Sequence, residues 1–249
     1  MSASWVDHAI WWHVYPLGFV GAPIRDAAAS DLRPSEPVHR LRQLEAWLDY
    51  AIELGMSALV LGPVFASQTH GYDTIDYNRI DPRLGDDADF DRLIAAAQSR
   101  GIRVVLDGVF NHVSAEFDRP ELFRLRDPGD PSKGWADFEG HGSLVALDHA
   151  NPAVVDLVAD VMRHWLARGI DGWRLDAAYA VDPAFWRAVL PRVRADYPDA
   201  WFVGEVIHGD YADFVARSGV DSVTQYELWK ANWSALVDRN FFELAWALE

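Results

Sequence analysis

The sequence predicts an α/β fold, a TIM-type (β/α) barrel that is incomplete, with about six of the eight βα units such a barrel needs. Three observations predict it. Short apolar runs alternate with amphipathic helical segments along the chain, the order expected of parallel strands joined by crossover helices. Three helix-to-strand joints share one pattern, Leu54-Gly55, Arg100-Gly101 and Arg168-Gly169, each with glycine where a helix stops and turns. The 249 residues are about the length of one whole barrel, yet long segments after the second and third strands use up the room that two more units need.

The first strand is expected at Ile10 to Tyr15, ended by Pro16. Val38 to Leu54 has helical periodicity, with Leu41, Leu44, Trp47, Leu48, Ala51 and Ile52 on one face. Strand two is Ala58 to Leu61, followed by a long loop through Gly85. A helix from Asp89 to Arg100 leads to strand three, Ile102 to Leu106. After a short insertion at 113–150 comes a helix from Pro152 to Arg168, with Asn151 as its N-cap and Pro152 in its first turn. Strand four is Ile170 to Leu175, then a helix from Pro183 to Asp196, and strand five is Trp201 to Gly204. A short helix at Tyr211 to Arg217 precedes strand six, Ser222 to Tyr226, and a last helix runs from Leu228 to the end. The whole is read as a single barrel domain, 1–249, truncated at its C-terminus.

Composition excludes several functions. A net charge of −16 argues against nucleic acid, which needs clustered Lys and Arg. Without cysteine there is no disulfide framework, thiolate nucleophile or zinc-thiolate site. No stretch reaches the length of a membrane span and no signal peptide is evident, so a cytoplasmic protein is expected.

In parallel barrels, function collects at the C-terminal ends of the strands. Strand three ends in DGVFNH (Asp107 to His112), strand four in GWRLDAAY with Arg174 and Asp176, and strand five in GEV with Glu205. Adjacent strands lie about 4.8 Å apart, so Asp176 and Glu205 can face each other across a cleft. A separation near 5 to 5.5 Å suits retaining glycoside hydrolysis, with one nucleophile and one acid/base. Arg174, two residues before Asp176, points to the same side and would lower the Asp176 pKa. The apolar run WFVG before Glu205 would raise that of Glu205. Each motif alone reads as readily as an ion pair or a helix-start charge; together, at matched strand ends, they do not.

With these motifs the sequence resembles the α-amylase family, glycoside hydrolase family 13, from WWHVYP through HGYDTIDYNRIDPRLG to ELWKANW. The resemblance implies Asp176 as nucleophile, Glu205 as general acid/base and Arg174 as the residue that holds the nucleophile. It also implies that Tyr72 stacks on the sugar, His112 bonds its hydroxyls and Asp107 supports the site from beneath. Asn111 matches a calcium ligand of many members, so a structural calcium is an expectation, although the chemistry needs no cofactor. LDHANP (Leu147 to Pro152) resembles the signature near the end of the family's protruding domain B, making 113–150 a short version of it.

The family's fourth signature, Asn-His-Asp, has no counterpart after Glu205. Its third carboxylate acts mainly at the transition state, so impaired activity is expected of this chain, and open barrel edges would favour self-association. Ala177, Ala178 and Tyr179 stand where starch-degrading members often have a Lys-His pair. The expected substrate is an α-glucan or maltooligosaccharide. A transglycosylase on the same fold and a non-catalytic carbohydrate-binding relative remain as alternatives. An aldolase or isomerase ranks lower, because the candidate strand ends carry no Schiff-base lysine.

Overall fold

A computed structural model describes residues 4–24 and 28–249. Among them the central sheet has six strands: β1 (Trp11–Val14), β2 (Ala58–Leu61), β3 (Arg103–Gly108), β4 (Gly172–Leu175), β5 (Trp201–Gly204) and β6 (Ser222–Val223). They lie side by side in chain order, every neighbouring pair parallel. This is the expected arc of a (β/α) barrel.

Alternation along each strand divides the core. Leu59, Leu106, Trp173, Leu175 and Phe202 face outward and pack with helix residues such as Leu44 and Trp165. Val60, Val105 and Trp201 face inward with Trp5, Trp11 and Val203. At the N-terminal end of this inner layer Trp11 stacks on Trp201, ring centres 4.7 Å apart, and Trp5 meets both edge-on.

Among the described residues the α-helices longer than four residues are α1 (Leu41–Glu45), α2 (Leu48–Glu53), α3 (Asp87–Ser99), α4 (Pro152–Ala167), α5 (Pro183–Arg194), α6 (Tyr211–Ser218), α7 (Tyr226–Val237) and α8 (Phe241–Leu248). Gly55, Gly101 and Gly169 have φ of 85°, 74° and 98°, the left-handed cap that the three shared joints predict. Asn151 caps α4 by accepting from Ala153 N–H at 3.0 Å, with Pro152 in the first turn. On α3, Asp86 and Asp89 form a reciprocal capping box, so the helix starts two residues before the expected Asp89.

Four expectations are corrected. The helix over Val38 to Leu54 is two pieces, because Trp47 N–H bonds back only three residues to Leu44 O, which shifts the helical phase. Leu41, Leu44, Leu48 and Ala51 are buried, whereas Trp47 and Ile52 are exposed. The long loop after β2 contains an antiparallel hairpin, Phe65–Ser67 with Thr74–Ile80, and HGYD forms its tip. Strand six ends at Val223, and Tyr226 begins α7 instead. The last helix breaks where Arg239 adopts φ 57° and Asn240 caps a new start at Phe242 N–H.

The insertion forms a small antiparallel sheet of its own from His112–Ser114, His141–Ala146 and Asp137–Phe138. It stands at the C-terminal ends of the barrel strands, where it walls one side of a cleft. Among the described residues no helix is long and apolar enough to cross a membrane.

Candidate active site

Register builds the site. Asp107 pairs with Arg174 across β3 and β4, and Val203 and Gly204 pair with Arg174 and Leu175 across β5 and β4. The next step along β4 and β5 therefore sets Asp176 beside Glu205, at the strand spacing of about 4.8 Å. The ladder continues there, with Asp176 N–H donating to Gly108 O (3.0 Å) and Glu205 N–H to Leu175 O (2.9 Å).

Arg174 joins the acids. Its Nη1 lies 2.6 and 2.7 Å from the two Asp107 oxygens and 3.1 Å from Asp176 Oδ1, and its Nη2 lies 2.6 Å from Glu205 Oε1. Asp107, Arg174 and Asp176 are all buried. Burial pulls the Arg174 pKa down, but Asp107, Glu205 and Asp176 outweigh it and hold the guanidinium above its ordinary value. Burial pushes the Asp107 carboxyl up to about 6 against the pull of Arg174. It pushes Asp176 up to about 8, helped by the charges of Asp107 and Glu205 and opposed by Arg174. This corrects the expectation for Asp176. One cation shared by three acids in a dry site does not neutralise them, and desolvation wins.

The surroundings of Glu205 also differ from the expected apolar ones. Oε2 accepts from Ala177 N–H (2.8 Å), and Oε1 accepts from Tyr226 Oη–H (2.8 Å) as well as from Arg174. Ala177 reaches Glu205 because it adopts the left-handed φ of 46° directly after Asp176.

The other predicted residues fall around these acids. Tyr72, His112, Asp176 and Glu205 line a cleft of about 710 Å³, within the range of small-molecule sites. Tyr72 sits at the hairpin tip, which Asp73 organises by accepting from Thr69 Oγ1 (2.6 Å) and from the N–H groups of His70 and Gly71 (both 3.1 Å). The fully buried Arg83 anchors the same tip through Thr69 O while pairing with Asp81. Tyr15 stacks near Tyr72 and donates to His70 O at 2.8 Å. His112 stacks on Phe138 of the insertion, centres 4.5 Å apart, and burial lowers its pKa to about 4. Its Nδ1 lies 3.1 Å from Asn111 Nδ2, while its buried Nε2 has no hydrogen-bond partner among the described residues.

Asn111, the expected calcium ligand, is buried, with its amide nitrogen 3.1 Å from His112 Nδ1. Calcium takes oxygen ligands, so its amide oxygen is the atom that would serve such an ion. Among the described residues, the group of His, Asp and Glu close enough to share an ion is His39, Asp86 and Asp89, at the start of α3.

Sequence reasoning missed Tyr226, which it assigned to a strand end, and the N–H of Ala177, which depends on a backbone conformation. It also missed the bond of 2.8 Å from Tyr179 Oη to Glu139, which fastens the insertion to the loop after β4.

The model of the α-amylase catalytic domain matches residues 40–138 and 133–246. The chain belongs to the α-amylase family. Neopullulanase 2 of Thermoactinomyces vulgaris is 36% identical over 257 residues, covering 90% of the chain and 43% of that relative. Cyclomaltodextrinase of Geobacillus thermopakistaniensis is 32% identical over 253 residues, covering 91% and 43%. Among solved structures, the ligand-free cyclic α-maltosyl-(1→6)-maltose hydrolase of Arthrobacter globiformis superposes with a TM-score of 0.83 at 28% identity. That match covers all of the chain and 62% of the other protein. The chain thus spans less than half the length of these two curated relatives.

Proposed function

We propose that this chain is the nucleophile- and acid-bearing part of a retaining glycoside hydrolase that cleaves α-glucosidic bonds of α-glucans or maltooligosaccharides. The observation that carries the reading is the register of β4 and β5, which sets Asp176 and Glu205 side by side over one guanidinium.

In the first step an Asp176 oxygen attacks the anomeric carbon while Glu205 gives its proton to the departing glycosidic oxygen. In the second, Glu205 takes a proton from water, whose oxygen displaces Asp176 and restores both carboxyl groups. A nucleophile has to be ionised. Arg174 pulls Asp176 that way, and positive charge developing on the sugar ring adds to the pull. Tyr72 offers a ring face to the bound sugar. His112, kept neutral by burial, offers a hydroxyl its Nε2, which has no hydrogen-bond partner among the described residues.

The names of two relatives put cyclic maltooligosaccharides first among the substrates to try. The family's third carboxylate belongs to a signature this sequence lacks, so reduced turnover is expected of the chain by itself. The outer edges of β1 and β6, with exposed Trp229, Phe242 and Trp246, support self-association of the isolated chain, which gel filtration measures.

Trapping with 5-fluoro-α-glucosyl fluoride tests the reading. Mass spectrometry should find the sugar on the peptide carrying Asp176, and Asp176→Asn should abolish the label and lower kcat on the order of 10⁴-fold. A label on another residue, or turnover that survives in Asp176→Asn, rejects the assignment.

A further inference from the structure

Glu205 has to be comfortable in two states. As an acid it carries a proton, as a base it does not, and each catalytic cycle uses both. Among the described residues its carboxyl has three hydrogen-bonding partners: Arg174 Nη2, the N–H of Ala177 and the hydroxyl of Tyr226. The first two are donors only. A guanidinium and a backbone N–H can serve the carboxylate but accept nothing from the carboxylic acid. A tyrosine hydroxyl both donates and accepts, so Tyr226 is the partner of these three that can follow the proton.

Its placement is built, not incidental. Tyr226 opens α7 directly after β6, and Thr224 clamps that segment to the residue following Glu205. Thr224 Oγ1 accepts from Val206 N–H and donates to Val206 O, both at 3.0 Å. The hydroxyl is thereby held 2.8 Å from Glu205 Oε1.

We propose that Tyr226 is a positioning residue for the acid/base: its hydroxyl supports the Glu205 carboxyl in both protonation states and matters most where the leaving group must be protonated. The inference rests on the glycosidase reading above. It also carries a sign. Hydrogen bonds to a charged acceptor are roughly twice as strong as neutral ones, so losing the hydroxyl penalises the carboxylate more than the acid. Removing it therefore shifts the alkaline limb of the rate profile upward. Among the described residues the other titratable or charged groups facing Glu205 are His13 on β1, Tyr72 at the hairpin tip, Asp107 on β3, Arg174 on β4, and Asp176 and Tyr179 just after β4. Tyr226→Phe leaves all of them in place.

The experiment compares the intact protein with its Tyr226→Phe variant on two substrates. Maltotriose has a sugar leaving group that needs a proton, and α-maltosyl fluoride releases fluoride with far less help. The expected result is a loss of about tenfold in kcat/KM on maltotriose, less than about twofold on the fluoride, and an alkaline limb raised by up to about one pH unit. Equal losses on both substrates with an unmoved limb would overturn the inference in favour of a packing role, and so would no loss on either. Failure of the glycosidase reading looks different: wild-type protein releases neither fluoride nor free sugar, and both ideas fall.

Discussion

The two ends of the barrel interior are made by the same strands and behave in opposite ways. On β3, Val105 points inward near one end and Asp107 near the other. On β5, Trp201 and Val203 are followed by Glu205. Two residues along a strand separate a layer that drives folding from one that works against it. The tryptophan layer removes large apolar surfaces from water, and paired rings add to that gain. The acid layer gathers three carboxyl groups around one guanidinium, where desolvation outweighs their attraction. Stability and chemistry are stacked in one channel, a strand's pleat apart.

Breaking each layer in turn sharpens this contrast. The largest effect is expected from Arg174→Met, which leaves three acids without their cation and should cost about 3–5 kcal/mol at pH 8 by denaturant unfolding. That loss should shrink with acid. Burial raises the folded pKa values of Asp176 and Asp107 to about 8 and about 6, above the ordinary carboxylate value of 3.8. The stability they contribute is fully present below pH 4 and is lost as pH rises through those raised values. A variant equally unstable at pH 4.5 and pH 8 would contradict the electrostatic account. Next is Trp201→Ala in the apolar layer, expected to cost about 3–5 kcal/mol with little change between those two pH values. A pH-dependent loss there would blur the division between layers. The smallest effect is expected at the seam. Ala177 is held at φ 46°, so Ala177→Gly should leave stability within about 1 kcal/mol of wild type, whereas a β-branched residue there should be strained. Thermal melts of Ala177→Gly and Ala177→Val check it.

The same contrast explains what was legible in the sequence. Strand residues could be read because direction follows from a period of two: Arg174 and Asp176 had to share a side, and neighbouring strand ends had to bring Glu205 next to them. The helix-stopping glycines were legible for a similar local reason. The contact of the Asn111 amide nitrogen with His112 was not legible, because no spacing reveals what a side-chain amide faces. The protonation expectation for Asp176 failed because burial is collective: one arginine beside one aspartate looks balanced until Asp107 and Glu205 are added. Trp47 and Ile52 were placed on the wrong side because one short turn shifted the helical phase. Tyr226 was invisible as a partner of Glu205 because its position depends on where a two-residue strand stops and a helix begins.

The chain-order sheet has a consequence for assembly. Each strand docks beside the one made just before it, so growth can proceed stepwise from the N-terminus without waiting for distant segments. Asp107, Arg174 and Asp176 all come from β3, β4 and the residue after β4, so that much of the sheet already pairs the most buried acid with its cation. The third acid, Glu205, joins only with β5, so the full crowding of carboxyl groups belongs to the last strands in the order.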